Sequence, residues 1–154
     1  MASAALFHLS FPVNDLDATE RWYVDGLGCR RGRRSPEALV LGLGGHQLVA
    51  HLAAGAQPAQ RGIYPRHFGL VFAEPAAYTA IEQRARRQEL QFGVAPRLRY
   101  PDSPLEHRSF FLVDPSANWL EFKHYHHPEA ILGLSELPLV GEHSDSSADP
   151  PPAR

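Results

Sequence analysis

Residues 67–72 read HFGLVF, and residues 8–13 read HLSFPV. Side chains alternate across a strand, so the later stretch sets Phe68, Leu70 and Phe72 on one face and His67, Gly69 and Val71 on the other. The earlier stretch likewise sets Leu9, Phe11 and Val13 opposite His8, Ser10 and Pro12. The two match at an offset of 59, with His8 mapping to His67 and Asp15 to Glu74. Each leads into a helix start, so the chain reads as a structural unit used twice.

Working outward from the first copy, Asn14 or Asp15 is placed to cap a helix that runs through Trp22, Tyr23 and Leu27 and stops at Gly26 and Gly28. Two extended stretches follow, 38–43 and 46–52, separated by Gly42, Gly44 and Gly45. Arg30, Arg31, Arg33 and Arg34 fall in the segment before them, read as a solvated loop. After the second copy, Glu74 and Pro75 open a helix running to about residue 90. A strand near Arg97, a strand at 109–113, the turn DPSAN at 114–118 and a strand at 119–125 complete it. The chain therefore reads as α+β, built from two βαβββ modules at about 5–55 and 64–127.

A chain of 154 residues suits one domain and is long enough to bury a real core. Residues 128–143 are an extension, and the ending SDSSADPPPAR at 144–154 has too little apolar surface to order itself. The net charge of −2 gives no general pull toward nucleic acid or an anionic membrane. No apolar run reaches membrane-spanning length, and the start lacks the pattern of a secretory signal. Cys29 is the only cysteine, so no internal disulfide can form and a reducing, cytoplasmic setting is expected. Histidine, at nine residues, is the unusual count.

Faces that pack on helices must be apolar, which leaves His8 and His67 on the face that lines a concavity. Alternation in 119–125 sends Glu121, Lys123 and Tyr125 to that same side, and in 46–52 it sends Gln47, Val49 and His51 there. Inward positions taken as equivalent thus carry His8, His51, His67 and Glu121. Imidazole and carboxylate groups gathered on one face are donor types that suit a divalent ion.

The segments HLSFPVNDLDATERWYVDGLG at 8–28, HQLVAHL at 46–52, HFGLVF at 67–72 and FFLVDPSANWLEFK at 110–123 resemble the vicinal oxygen chelate superfamily, which includes glyoxalases, extradiol dioxygenases and bleomycin-resistance proteins. The most specific is the last, an aromatic strand, Asp-Pro, a small-residue turn and a glutamate in that order. The resemblance spans about residues 5–127. It implies paired βαβββ modules forming a cupped mixed sheet around a divalent metal held by His8, His67 and Glu121. Glyoxalase I enzymes place a fourth ligand at the position matched to His51, whereas extradiol dioxygenases place there a histidine that acts as acid or base.

The resemblance therefore implies an extradiol-type enzyme that binds a catechol-like diol at iron(II), with His51, His107 and Lys123 as catalytic candidates. Lys123 is placed either to hydrogen-bond substrate oxygen or to form a salt bridge. A glyoxalase-like isomerase or lyase using manganese, zinc or nickel is the alternative, and a metal-free small-molecule binding module is a third. Phe110 and Phe111 depart from the tyrosine that dioxygenases carry on the aromatic strand, for which Tyr100 or Tyr125 is the substitute. His107 stands later than the family's histidine, and Ala117 replaces the usual glycine of the turn. The expected partners are a small-molecule substrate and a second copy in a homodimer, with no nucleic acid and no membrane.

Overall fold

β1 (His8–Val13) buries Phe11 and Val13 and exposes His8, Ser10 and Pro12, as its alternation requires. The computed structural model describes residues 5–55 and 58–141, so the tail expected at 144–154 lies outside the described residues. Asp15 caps α1 (Leu16–Glu20), accepting the Ala18 amide at 2.9 Å. The helix then widens into a π-helical turn, Arg21–Gly26, with the Leu27 amide reaching back to the Trp22 carbonyl at 2.8 Å. The helical run expected through Leu27 is thus two kinds of helix, and the wide turn carries the fully buried Tyr23.

The arginine segment expected as a loop is instead a strand, β2 (Arg30–Arg34), antiparallel to β3 (Ala38–Leu43). Being an edge strand it buries no complete face, so its sequence lacks the apolar alternation that would reveal it. Two of its charges are paired: Arg34 contacts Asp17 at 2.6 Å and Glu20 at 3.2 Å, and Arg31 contacts Glu20 at 3.0 Å. β4 (His46–Leu52) completes a mixed sheet of order β1-β4-β3-β2.

The second module repeats this plan. β5 (Phe68–Val71), β6 (Phe92–Arg99), β7 (His107–Val113) and β8 (Trp119–Tyr125) form a sheet of order β5-β8-β7-β6, covered by α2 (Pro75–Arg87). The two βαβββ modules expected from the sequence are therefore present. They share one apolar core that joins Phe11, Tyr23 and Leu39 to Tyr78, Phe110 and Phe122.

Across the seam the Phe11 and Phe68 rings stand 5.1 Å apart, while Leu70 lies against Gly44 in the β3–β4 turn. Edge strands β1 and β5 therefore run past each other in opposite senses. Arg84 of α2 donates to the carbonyls of Gly26 and Asp25 at 2.8 and 2.9 Å, and Tyr23 donates to Asp114 at 2.8 Å.

Asp114 organises the β7–β8 turn, accepting the Ser116 and Asn118 amides at 2.8 Å each. Ala117 sits at φ 63°, the left-handed conformation in which a Cβ is strained. Alanine thus carries at this position the strain that a glycine would not. Ala117→Gly should raise stability by about 0.5–1 kcal/mol, since relief of that strain exceeds the added unfolded-chain entropy. A chemical denaturation midpoint unchanged or lowered in the variant would contradict this.

Candidate metal centre

His67 stands just before β5, on the carboxyl side of a loop tied down by Gln60. The Gln60 amide donates to the Gly62 carbonyl at 2.6 Å, and its own carbonyl accepts the Trp119 indole N–H at 3.1 Å. The loop presents the Ile63 carbonyl to His67 Nδ1 at 2.6 Å, which leaves Nε2 turned toward Glu121 Oε1 at 3.4 Å. Phe111 packs edge-on against the imidazole with centroids 5.1 Å apart.

Register explains why this pair meets. Gly69, two residues after His67, faces Glu121 in the parallel β5–β8 pairing, so the Cα atoms of His67 and Glu121 are about 8 Å apart. A Cβ at Gly69 would collide with the Glu121 backbone carbonyl, so glycine is what lets the two strands close at this rung.

Lys123, one rung along, places Nζ 3.3 Å from the same Glu121 oxygen. Burial pushes the Glu121 carboxyl up, but the His67 hydrogen bond and the Lys123 charge outweigh it and hold the group below the usual carboxylate range. The hydrogen bond to Glu121 raises His67 above the ordinary histidine value despite burial. Burial pulls Lys123 down, yet the Glu121 charge leaves it above the ordinary lysine value.

His8 is exposed at the start of β1, with Nδ1 2.7 Å from the Gln47 side-chain oxygen. It does not join the other two candidate ligands within the chain. His67 and Pro12 both line the seam groove, which His8 does not; His8 stands four residues back from Pro12 along β1, roughly 13 Å. Among the described residues, no three His, Cys, Asp or Glu side chains gather closely enough to hold a metal.

His51 also stands elsewhere than expected. Ser10, two residues after His8, faces Val49, and Pro12, four residues after it, faces His51. Gly69 and Val71 face Glu121 and Lys123 in the same way. The register equivalent of Glu121 is therefore Val49, and His51 corresponds to Lys123. The equivalence drawn between His51 and Glu121 was two residues out, because alternation fixes which face a residue takes but not which rung it occupies. His51 is about 14 Å from His8 between Cα atoms, against about 8 Å for the pair that does meet.

His107 is buried in the second cup, its Nδ1 2.9 Å from the Leu105 carbonyl and its ring 4.9 Å from that of Tyr125. Its rung faces Tyr125, four residues from Glu121 and so roughly 13 Å along the sheet. It belongs to the far wall of the same cavity.

The second cup is closed in a way the sequence reading did not anticipate. Residues 130–141, following a 3-10 turn at Pro128–Ala130, line a cavity of about 460 Å³ together with Tyr64, His67, His107, Glu121 and Lys123. Tyr100 donates to the Gly141 carbonyl at 2.8 Å and fastens the far end. The signal was in the spacing of Ile131, Leu132, Leu134, Leu137, Leu139 and Val140, which the surrounding Pro, Ser and Glu obscured. The matching face of the first module, with His8, Ser10, Pro12 and His51, stays exposed.

Residues 5–122 match the model of the Glyoxalase/Bleomycin resistance protein/Dioxygenase superfamily, and the chain belongs to that superfamily. A crystal structure of a glyoxalase/bleomycin resistance protein/dioxygenase from Alicyclobacillus acidocaldarius is 36% identical, with a TM-score of 0.79 over 83% of this chain and 96% of that one. Lactoylglutathione lyase from Agrobacterium tumefaciens shares the fold at 20% identity, with a TM-score of 0.60 over 80% of this chain and 96% of its own. The fosfomycin resistance protein FosX from Mesorhizobium loti does so at 20% and 0.59, over 80% and 93%. None of the curated proteins matches the sequence. The two βαβββ modules are those of the vicinal oxygen chelate fold. Among the described residues, no helix is long and apolar enough to cross a membrane.

Proposed function

We propose that the protein is a metal-dependent oxygenase of the extradiol type, acting as a homodimer in which His8 of one subunit meets His67 and Glu121 of the other around iron(II). The observation that carries this reading is the matched tethering of the two imidazoles. His8 gives Nδ1 to Gln47 and His67 gives Nδ1 to Ile63, so both keep Nε2 for a metal. Metal-binding histidines are characteristically oriented by such an outer partner. The donor set of two imidazoles and one buried carboxylate fits a divalent ion. A second copy is favoured by the separation of His8 from the other two and by the exposed Leu6 and Phe7 just before β1.

Val49 at the rung equivalent to Glu121 supplies no fourth donor, which favours a three-ligand centre with open positions over a four-ligand, glyoxalase-like one. A bound iron(II) would supply Lewis acidity toward a substrate hydroxyl and an open position for dioxygen. The chain's own groups do the rest. Lys123 sets a positive charge beside Glu121, where it opposes negative charge arising on substrate oxygen. Tyr64, Tyr125 and the 130–141 segment line the cavity beside it. His51, distant from the ligand pair, is left without a proton-transfer role in this reading.

The test is anaerobic purification with elemental analysis, then oxygen uptake with a panel of catechols. Iron near one per chain with catechol-dependent uptake is expected. Turnover of a carbonyl substrate by zinc- or nickel-loaded protein, with no oxygen consumed, would replace this reading with the glyoxalase-like one.

A further inference from the structure

The first cup has a gap in one rung. Across the first sheet His8 faces Gln47, Gln47 faces Gly42 and Gly42 faces Arg30, so that rung carries a candidate ligand at one end and an arginine at the other. Directly opposed residues share a face of the sheet. A Cβ at Gly42 would stand 3.2 Å from that of Arg30, on the face where Gln47 meets His8. Glycine leaves that place empty, as strand glycines do where a ligand comes close to the backbone. The result is an open pocket of about 360 Å³ bordered by Leu6, Arg30, Val40, Gly42, His46 and Gln47.

The polar side chains of this pocket are donors. Gln47 gives its side-chain oxygen to His8 Nδ1 at 2.7 Å, which leaves its amide N–H groups unused. His46 accepts the Phe7 amide at Nδ1, 3.1 Å away, so its ring proton sits on Nε2. Among the described residues Arg30 forms no ion pair, whereas Arg31 and Arg34 of the same strand are held by Glu20 and Asp17. No described Asp or Glu side chain lines the pocket.

We propose that this pocket binds an organic anion, its charge on the Arg30 guanidinium and its apolar body over Gly42 beside Leu6 and Val40. The inference rests on the metal reading for one point, that the anion is the far end of the molecule bound at His8. Three strand spacings, about 14 Å, separate the Cα atoms of His8 and Arg30, and side chains reaching in from both ends shorten the span a ligand must cover. An aromatic ring with a short acidic side chain fits it. Charge-assisted hydrogen bonds from arginine then distinguish the acid from its neutral analogue.

Calorimetric titration of the full chain with 3-phenylpropanoate and 3-phenylpropanamide tests the pocket, before and after treatment with a chelator. The acid is expected to bind about 10-fold more tightly with or without metal, the lower end for hydrogen bonds to a charged group because Arg30 is exposed. Arg30→Gln should bring the two ligands within about threefold. Gly42→Val should abolish binding of both by filling the gap; should that change prevent folding, Arg30→Gln on the edge strand still decides. Equal binding of acid and amide by the wild type, or an undiminished preference in Arg30→Gln, would overturn the proposal. With cobalt(II) bound, 3-(3,4-dihydroxyphenyl)propanoate should bind about 10-fold more tightly than 4-ethylcatechol, and a difference that survives Arg30→Gln would put the far end elsewhere. Metal bound without any preference for the acid defeats this inference alone, whereas a preference in protein unable to bind metal upholds the pocket and defeats the iron reading.

Discussion

Glu121→Ala and His67→Ala are each expected to abolish metal binding, lowering affinity by more than the roughly 10- to 100-fold that loss of an outer-shell partner costs. Two donors remain in either variant, too few to hold a divalent ion firmly against water. Each change also strands a buried partner, since Glu121 is 9% exposed and faces His67 at 3.4 Å and Lys123 at 3.3 Å. Cobalt(II) titration followed by absorbance reads affinity directly, and the far-ultraviolet spectrum reports whether the fold survives. His51→Ala should titrate like the wild type, because its rung lies two beyond that of His8.

The same assay separates a shared site from a closed one. His8→Ala and Glu121→Ala chains, each inactive alone, should regain sites when unfolded together and refolded. Random pairing makes about half the dimers mixed, and each mixed dimer holds one intact site of two, so about a quarter of wild-type binding should return. No recovery in a mixture shown to contain mixed dimers would mean that His8 is not supplied by a second copy.

Asp114→Ala is expected to lower stability by about 3–5 kcal/mol, because several buried neutral donors lose their acceptor together at roughly 1–3 kcal/mol each. Its carboxylate accepts the Tyr23 hydroxyl at 2.8 Å, the Asn118 side-chain amide at 2.9 Å, and the Ser116 and Asn118 backbone amides at 2.8 Å each. Asn118 in turn donates to the Pro12 carbonyl at 2.9 Å, and Ser116 accepts the Asn14 amide at 2.9 Å. The turn therefore ties the second module to the strand that carries His8. A fall in melting temperature on the order of 10–20 °C would follow for a domain of this size. Tyr23→Phe, which removes one of these bonds and no charge, should cost only about 1–2 kcal/mol. Calorimetry showing equal effects for the two changes would mean that the carboxylate is not the centre of the network.

The sequence by itself determined the repeated module, the faces of β1, β5 and β8, and a helix cap at Asn14 or Asp15, of which the structure uses Asp15, because alternation and capping act over a few residues and leave their pattern in the order of side chains. It placed His8, His67 and Glu121 on inward faces for the same reason. It could not place His51, since Gln47, Val49 and His51 share one face and only strand pairing says which of them stands at the rung of Glu121. The edge strand Arg30–Arg34 was hidden because an edge is defined by backbone pairing with a neighbour, not by its own apolar pattern. Whether the three candidate ligands meet within one chain was decided by the seam, where Phe11 against Phe68 and Leu70 against Gly44 set β1 and β5 in opposite senses and carry His8 away from His67. The cover at 130–141 likewise depends on the second cup it spans, where Leu134 and Leu137 are half-buried while Ile131, Leu132 and Leu139 stay exposed.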